Sequence, residues 1–325
     1  MEVNVDVSII IVNWNSLAYL QECVASIYQQ TRAVSFEVIV VDNASPEGGI
    51  EQLALLFPEV VVIQSKENLG FAGANNLGFR RSRGEYALFL NPDTKLLEDS
   101  ISILVRHMRA LPDAGIVGCK LLNADGSIQV SSIKRVPTIL NQVCEAEYLQ
   151  THWPQCPLWS LTPLFQEGIG VVPVDVIPGA CMLLRHTVFA QVGMLSEEYF
   201  MYAEDLDLNA KIHGAGLTNY YVGVTALVHY GGGSSSRQKV SHWATVMQCR
   251  AMVRYFRKTR GRYYERLYRT TLGIAAFLRL VLLGVSAAFG NLLLSREVRR
   301  NAWTKWATVL KWTIGIGEPK IVGQS

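Results

Sequence analysis

The first 120 residues alternate between two periods of apolar and polar positions. Four short runs, VSIIIVN, FEVIVVDN, VVVIQS and YALFLN, are rich in β-branched and aliphatic residues and end in polar ones, as buried strands do. Between them Leu17–Gln30, Pro46–Phe57, Phe71–Ser82 and Leu97–Ala110 carry helix-like spacing. Continuous apolar strands separated by helices predict an α/β fold, a Rossmann-like and mostly parallel sheet with helices on both faces. Ligands of such sheets gather beyond the carboxyl ends of the strands.

Those ends are where the sequence becomes specific. They deliver Asn13 and Asn15, then Asp42 and Asn43, then Asn68, then Asn91 and Asp93. One such residue is an ordinary Asx turn; four successive strand ends of this kind point to a polar rim that binds something. The loop NLGFAGANNLG adds Gly70, Gly73, Asn75 and Asn76 before a helix. It reads either as a tight turn or as a seat for a phosphate or ribose at a helix N-terminus. The chain has no GxxxxGK[ST] and no GxGxxG after its first strand, which excludes a P-loop NTPase and disfavours a dinucleotide oxidoreductase.

Three further groups carry candidate chemistry. Pro92 stops strand pairing and leaves Asp93 on the rim, where a carboxylate can hold a hard cation together with a ligand's phosphates. The acids of FMYAEDLDL, Glu204, Asp205 and Asp207, are either favourable first-turn charges of a helix or a base partly desolvated by the preceding aromatics, Tyr202 among them. His229 closes an apolar run just before GGGSSS, a position that suits a ligand as well as a structural histidine.

After Cys119 the pattern is less regular. LLNADGSIQ predicts a hairpin, and residues 135–170, rich in Pro and Trp, predict a long loop near an acceptor, with Trp153 a contact there. VPVDVIPGACMLLRHTVFAQVG predicts a strand and a short helix. EEYFMYAEDLDLNAKIHGAG predicts a loop entering a helix ended by Gly214 or Gly216, and TNYYVGVTALVHY predicts two short strands.

Charge divides the chain. Of 30 Lys+Arg and 27 Asp+Glu, 14 and 2 fall between Arg250 and Lys311, leaving 16 and 25 elsewhere. A segment of net +12 thus follows a region of net −9, an asymmetry that points to a membrane or polyanion. Within it the charge-free stretch Leu280–Ser295 has 16 residues, and Leu272–Leu294 has 23 but includes Arg279. About 20 are needed to span a bilayer. Lying in an anionic interface is therefore favoured over spanning, with core helices on the catalytic domain as the alternative. The six cysteines are scattered without a CxxC pair, as in a chain with reduced thiols. Cys144 and Cys156 are the one pair considered for a bridge. The start, MEVNVDVSIIIVN, is unlike a secretory signal, so a cytoplasmic protein at the inner face of a membrane is expected.

Taken together, VSIIIVNWN, VIVVDNAS, NLGFAGANNLG, LFLNPDT, FMYAEDLDL and VHYGGGSS, in that order from Val5 to Ser236, resemble a family 2 glycosyltransferase of the rhamnosyltransferase-like branch. The resemblance implies a GT-A domain over 1–240, a nucleotide-sugar-binding half (1–120) and an acceptor or catalytic half (121–240), with 241–325 a helical, membrane-associated segment. It implies inverting transfer from a nucleoside diphosphate sugar with Mg²⁺ or Mn²⁺. By position Asp42 matches the donor-base contact, Asp93 the metal end of the family's DxD motif, Asp205 the general base and His229 a further metal or diphosphate contact. Asn91 replaces the first acid of DxD, which shifts metal ligation onto Asp93, His229 and the diphosphate. Donor contacts are expected from Asn13, Asp42, Asn68, Gly73, Asn75, Asn91 and Asp93, and acceptor contacts from Tyr202, Glu204 and Trp153.

dTDP-rhamnose is the donor favoured by the resemblance, with UDP-hexoses open. The resemblance implies as acceptor a glycan hydroxyl, free or polyprenyl-linked, in cell-surface polysaccharide synthesis. No nucleic-acid motif accompanies the basic segment, and self-association is compatible with the sequence. Two rivals are a nucleotidyltransferase, which would begin with a Gly-rich basic loop rather than NWNSLAYL, and a non-catalytic nucleotide-sugar binder, which needs no base.

Overall fold

A computed structural model describes residues 5–144, 152–153, 162–166, 168–231, 242–288 and 296–316 of the 325. Its strands are β1 (Val7–Asn13), β2 (Phe36–Asp42), β3 (Val61–Gln64), β4 (Tyr86–Leu90), β5 (Thr94–Leu96), β6 (Ala114–Leu122), β7 (Val171–Val174), β8 (Cys181–Arg185) and β9 (Thr218–His229). They form one sheet in the order β3-β2-β1-β4-β8-β6-β9-β5, with β7 on β9. The first four strands run parallel, as the continuous apolar runs predict. β8 then enters antiparallel between β4 and β6.

The helices are α1 (Leu17–Gln30), α2 (Glu51–Leu56), α3 (Gly70–Phe79), α4 (Ser100–Ala110), α5 (Ile139–Val143), α6 (Thr162–Phe165), α7 (His186–Gln191), α8 (Glu204–Gly214), α9 (His242–Ala288) and α10 (Arg296–Thr313). Strand alternation explains why both faces are covered. Ile9 and Ile11 join a cluster with Leu20, Val24 and Leu104 of α1 and α4, whereas Ile10 and Phe89 pack with Phe79, Phe189 and Leu208 of α3, α7 and α8. A strand buried on both sides needs apolar residues at every position. In α4, Ile101, Leu104, Val105 and Met108 form the buried stripe, and the Asp99 side chain caps Ser102 N, as an amphipathic helix with a polar start should. Removing Leu104's side chain there costs about 2–5 kcal/mol.

Several boundaries and elements differ from the sequence reading. α2 starts at Glu51 rather than near Pro46, because Gly48 and Gly49 both take positive φ, which a helix does not admit. The segment expected to be one strand and a helix holds two strands, β7 and β8, before α7. The two strands expected after Thr218 are the single β9, but its register against β6 jumps between Cys119↔Val222 and Lys120↔Ala226. That bulge bends β9, and Thr225 inside it is anchored by Glu98 and Ser100. Beyond the bend β9 pairs antiparallel with three-residue β5, Thr94 opposite His229. The Asp-Gly turn forms as expected, with Asn123 N donating to Ser127 O and Leu122 bridging Ile128. The glycine-serine run after Gly231 and Cys156 lie outside the described residues, as does most of 145–161.

Contacts divide the chain into two compact units. The first comprises Met1–Val136, Tyr148–Phe200 and Glu204–Arg237; the second comprises Pro137–Glu147, Met201–Ala203 and Gln238–Ser325. In the second, α9 is broken at Gly261, whose φ is 85°. Past the break α9 runs against α10. The Arg279 guanidinium stacks 4.2 Å over Trp306 and donates to Val143 O, and Arg269 donates to the last carbonyls of α10, Trp312 O and Thr313 O. By length and composition α9 is the one helix among the described residues able to cross a membrane.

Candidate active site

The polar rim of the parallel half is built from register pairs. Asn13 and Asp42 face each other at the ends of β1 and β2. Asn13 Nδ2 donates to Asp42 Oδ1 at 2.8 Å, Ser45 Oγ donates to the same oxygen at 2.6 Å, and Ser16 Oγ donates to Asn13 Oδ1. Asn15 and Ala44, just beyond the two strands, have φ of 53° and 58°, left-handed values that cost non-glycine residues energy and cluster at functional sites. A hollow of about 280 Å³ opens beside them, lined by Asn15, Ser16, Glu47 and Gln52 among others.

The next strand end shapes the loop into α3. Asn43 Nδ2 donates to Asn68 Oδ1, Gly70 N donates to Asn68 Oδ1, and Leu69 N donates to Asn43 Oδ1. Gly70 has φ 71°, and a Cβ there would lie 2.2 Å from Phe200 O. Only glycine fits that approach, through which Phe71 N also bonds Phe200 O. Gly73 sits in the first turn of α3 against Leu69. Asn75 bonds back to Phe71 O, and Asn76 donates to Leu195 O and Glu197 Oε1. Asn68, Asn75 and Asn76 are thus held by partners in the protein itself.

Asn91, Asp93 and His229 meet where β4, β5 and β9 end. His229 Nε2 lies 3.4 Å from Asp93 Oδ1 and 3.2 Å from Asn91 Nδ2. Tyr230 N donates to Asp93 O, fixing the two turns together. On its other side His229 Nδ1 is 3.0 Å from Gln129 Oε1, while Gln129 Nε2 donates to His229 O. The side chains of His229 and Asp93 keep 16% and 10% of their exposure, enough to receive a ligand from outside. Glu22 carries the rim further by accepting from Lys95 Nζ at 2.6 Å and from Tyr230 OH at 3.1 Å.

Asp205 opens α8. Its Oδ2 accepts from Gly179 N, in the loop before β8, at 3.2 Å, and its Oδ1 from Leu206 N, in the first turn of α8, at 2.8 Å. Glu204 differs sharply. It is 8% exposed, and its Oε2 has no hydrogen-bond partner among the described residues. Burial, with the charge of Asp205 adding, pushes its carboxyl up to about 8. At neutral pH Glu204 therefore holds its proton beside Asp205. Asp207 is satisfied internally by Ser196 Oγ and Lys211 Nζ.

Tyr202 and Ala203, directly before α8, both have positive φ, 72° and 64°. By its contacts Tyr202 belongs to the second unit. Trp153 is 63% exposed beside His152.

The family model described as Glycosyl transferase family 2 matches residues 8–156, which include all of β1 but its first residue, β2–β6 and the Asn-Pro-Asp turn. The N-acetylglucosaminyl-diphospho-decaprenol L-rhamnosyltransferase of Mycobacterium tuberculosis is 30% identical over 250 residues, covering 73% of this chain and 80% of that relative. The chain belongs to glycosyltransferase family 2. Rhamnosyltransferase WbbL of Escherichia coli K12 is 26% identical over 168 residues, 50% of this chain and 61% of that one. Among solved structures, the mannosyltransferase PcManGT from Pyrobaculum calidifontis, in complex with GDP-Man and Mn²⁺, superposes with a TM-score of 0.58 at 17% identity, over 96% of this chain and 87% of that one. The fold of this family 2 glycosyltransferase is therefore the GT-A arrangement its motifs imply.

Residues the sequence did not single out also line this glycosyltransferase's rim. Gln129 sits 100 positions before His229, and Glu22 some 70 before Lys95. Gln129 is brought in by the hairpin after β6 and Glu22 by the packing of α1 against β5, and neither pairing can be read from spacing along the chain.

Proposed function

We propose that this glycosyltransferase moves rhamnose from dTDP-rhamnose, with inversion, onto a hydroxyl of a polyprenyl-diphosphate-linked glycan at the inner face of a membrane. The rhamnose donor and lipid-linked acceptor are supported by the names of the relatives from M. tuberculosis and E. coli. The domain division is proposed as 1–240 catalytic, with halves 1–120 and 121–240, and 241–325 helical and membrane-associated.

The observation that carries the chemistry is the Asp93–His229 pair. Gln129 Oε1 can only accept, so His229 Nδ1 bears the proton; Asn91 Nδ2 can only donate, so Nε2 presents its lone pair. A carboxylate oxygen and an imidazole lone pair 3.4 Å apart suit neighbouring positions around one Mg²⁺ or Mn²⁺, where ligands at about 2.1 Å stand roughly 3 Å apart. Among the described residues no third His, Cys, Asp or Glu joins them, which fits a cation completed by a donor's diphosphate. Such a cation would neutralise charge growing on the departing diphosphate.

The protein's own residues would do the rest. Asp42, whose Oδ1 accepts from Asn13 and Ser45 Oγ and whose Oδ2 accepts from Ser45 N, is proposed as the contact to the donor's base. Asn68, which shapes the loop into α3, and Gly73 and Asn75 in that helix are proposed as further donor contacts, together with Asn91. Asp205 would take the proton of the acceptor hydroxyl as it attacks the anomeric carbon opposite the leaving group. Glu204, Tyr202 and Trp153 are proposed on the acceptor side.

Membrane contact is supported by the second unit. Ile274, Phe277, Leu278, Val281, Leu282 and Val285 are 45–67% exposed on α9, and Arg279, the one charge among them, is turned onto Trp306 and Val143. α10 alongside carries Arg299, Arg300, Lys305 and Lys311. A hairpin with an apolar stripe and a basic partner lies in an anionic interface more readily than across a bilayer. The test is transfer of radiolabel from dTDP-rhamnose, against UDP-hexoses, to a polyprenyl diphosphate glycan. Label transferred equally from every donor would defeat the rhamnose assignment.

A further inference from the structure

We infer that Gln129 is a positioning residue that fixes the tautomer of His229, and so prepares the nitrogen that faces Asp93. The inference rests on the proposed cation site.

Gln129 is itself firmly placed. Its backbone N donates to Leu121 O of β6, and its O accepts from Ser132 N and Ser132 Oγ. From that anchor the side-chain amide grips one residue twice: Nε2 donates to His229 O, and Oε1 lies 3.0 Å from His229 Nδ1. The backbone grip sets where His229 stands. The imidazole grip sets which nitrogen carries hydrogen, because an amide oxygen has no proton to give. Nδ1 then carries hydrogen, and Nε2 is the nitrogen turned toward Asp93 Oδ1 at 3.4 Å. A second group that orients an imidazole in this way raises the affinity of a histidine for metal, and its loss costs about 10–100-fold.

Asn91 completes the arrangement. Its Nδ2 stands 3.2 Å from the bare Nε2, so the amide that replaces the first acid of the usual motif holds the lone pair in reserve. An aspartate at 91 could not donate there. Without Gln129 the imidazole would be free to adopt the Nε2–H form that water favours, presenting a hydrogen rather than a lone pair to Asp93.

Two variants separate the two grips. Gln129→Met is near-isosteric and loses both. Gln129→Glu loses the donor to His229 O but keeps an oxygen that accepts from Nδ1–H. Long-range ¹H–¹⁵N NMR on metal-free protein, with His229 assigned by comparison with His229→Asn, reads the tautomer directly. Titration of Mn²⁺ in the presence of dTDP, followed by EPR of the free ion, reads affinity.

The expected result is Nδ1–H in the wild type and in Gln129→Glu, and mainly Nε2–H in Gln129→Met. Mn²⁺ affinity should fall about 10–100-fold in Gln129→Met and return to within about threefold of wild type in Gln129→Glu. Circular dichroism melts within a few degrees of wild type would exclude unfolding as the cause. Gln129→Met with an unchanged tautomer and affinity overturns the inference, as does a Gln129→Glu variant no better than Gln129→Met. A wild type that binds dTDP but not Mn²⁺ overturns instead the cation site beneath it, while the NMR comparison still decides what Gln129 does.

Discussion

Asp93 Oδ1 and His229 Nε2 stand 3.4 Å apart although 136 positions separate them in the chain. They meet because β9, bent by its bulge, pairs Thr94 with His229. In the proposed site these two side chains are the protein's ligands to one cation. Asp93→Asn and His229→Ala should each weaken Mn²⁺-dependent dTDP binding, measured by calorimetry, and lower transfer by about 10²–10³-fold. Full transfer by both variants would remove the pair from the chemistry.

Asp205 is the proposed base, with its two oxygens on Gly179 N and Leu206 N. Asp205→Asn keeps the shape and the acceptor oxygen, so donor binding should be unchanged while kcat falls by about 10²–10⁴-fold. Equal losses in donor affinity and turnover would mean that the residue holds the donor rather than the proton.

Glu204 makes stability depend on pH. Its carboxyl sits near 8 in the folded chain against an ordinary 4.5, so between these values the folded state holds a proton that the unfolded state has released. Stability is then lost as pH rises through that window, at up to about 1.4 kcal/mol per pH unit. Glu204→Gln should raise the urea midpoint at pH 8.5 and leave it nearly unchanged at pH 5. A difference independent of pH would contradict the buried, protonated carboxyl.

Gly70 cannot be exchanged cheaply. An alanine would add a left-handed penalty and place Cβ 2.2 Å from Phe200 O, together about 3 kcal/mol. Gly70→Ala is expected to lower Tm by about 5–10 °C, whereas Gly126→Ala, whose Cβ would meet nothing within 4 Å, should cost clearly less.

The apolar stripe on α9 predicts a separation of binding from chemistry. Phe277→Glu with Leu282→Glu should abolish flotation with vesicles containing anionic lipid while leaving dTDP binding intact. Unchanged flotation would assign the stripe to another role.

The parallel half was legible to the residue in β1 and α1, where an apolar run and a helical period stand between clear polar limits. β5 was not, because three residues carry no period, and β9 was split in two because Gly223 and Thr225 in its bulge resemble a turn. The polar residues at the strand ends do gather where β1, β2 and β4 end. Sequence could not tell those that bond one another, as Asn43 and Asn68 do, from those left to a ligand. Nor could it see that Glu204 is buried while Asp205, one position on, reaches two amides, since that follows from how α8 docks. Arg279 counted in the sequence against a spanning helix, and no spacing signals that its guanidinium lies over Trp306.

The most direct test is transfer of labelled rhamnose from dTDP-rhamnose to a polyprenyl diphosphate glycan by the full chain, with Mn²⁺, with EDTA, and with Asp205→Asn. The expected result is label in the lipid fraction with Mn²⁺ alone, and loss of that label with EDTA or with the variant. Label moving equally well in EDTA, or in Asp205→Asn, would contradict a cation held by Asp93 and His229 or a proton taken by Asp205.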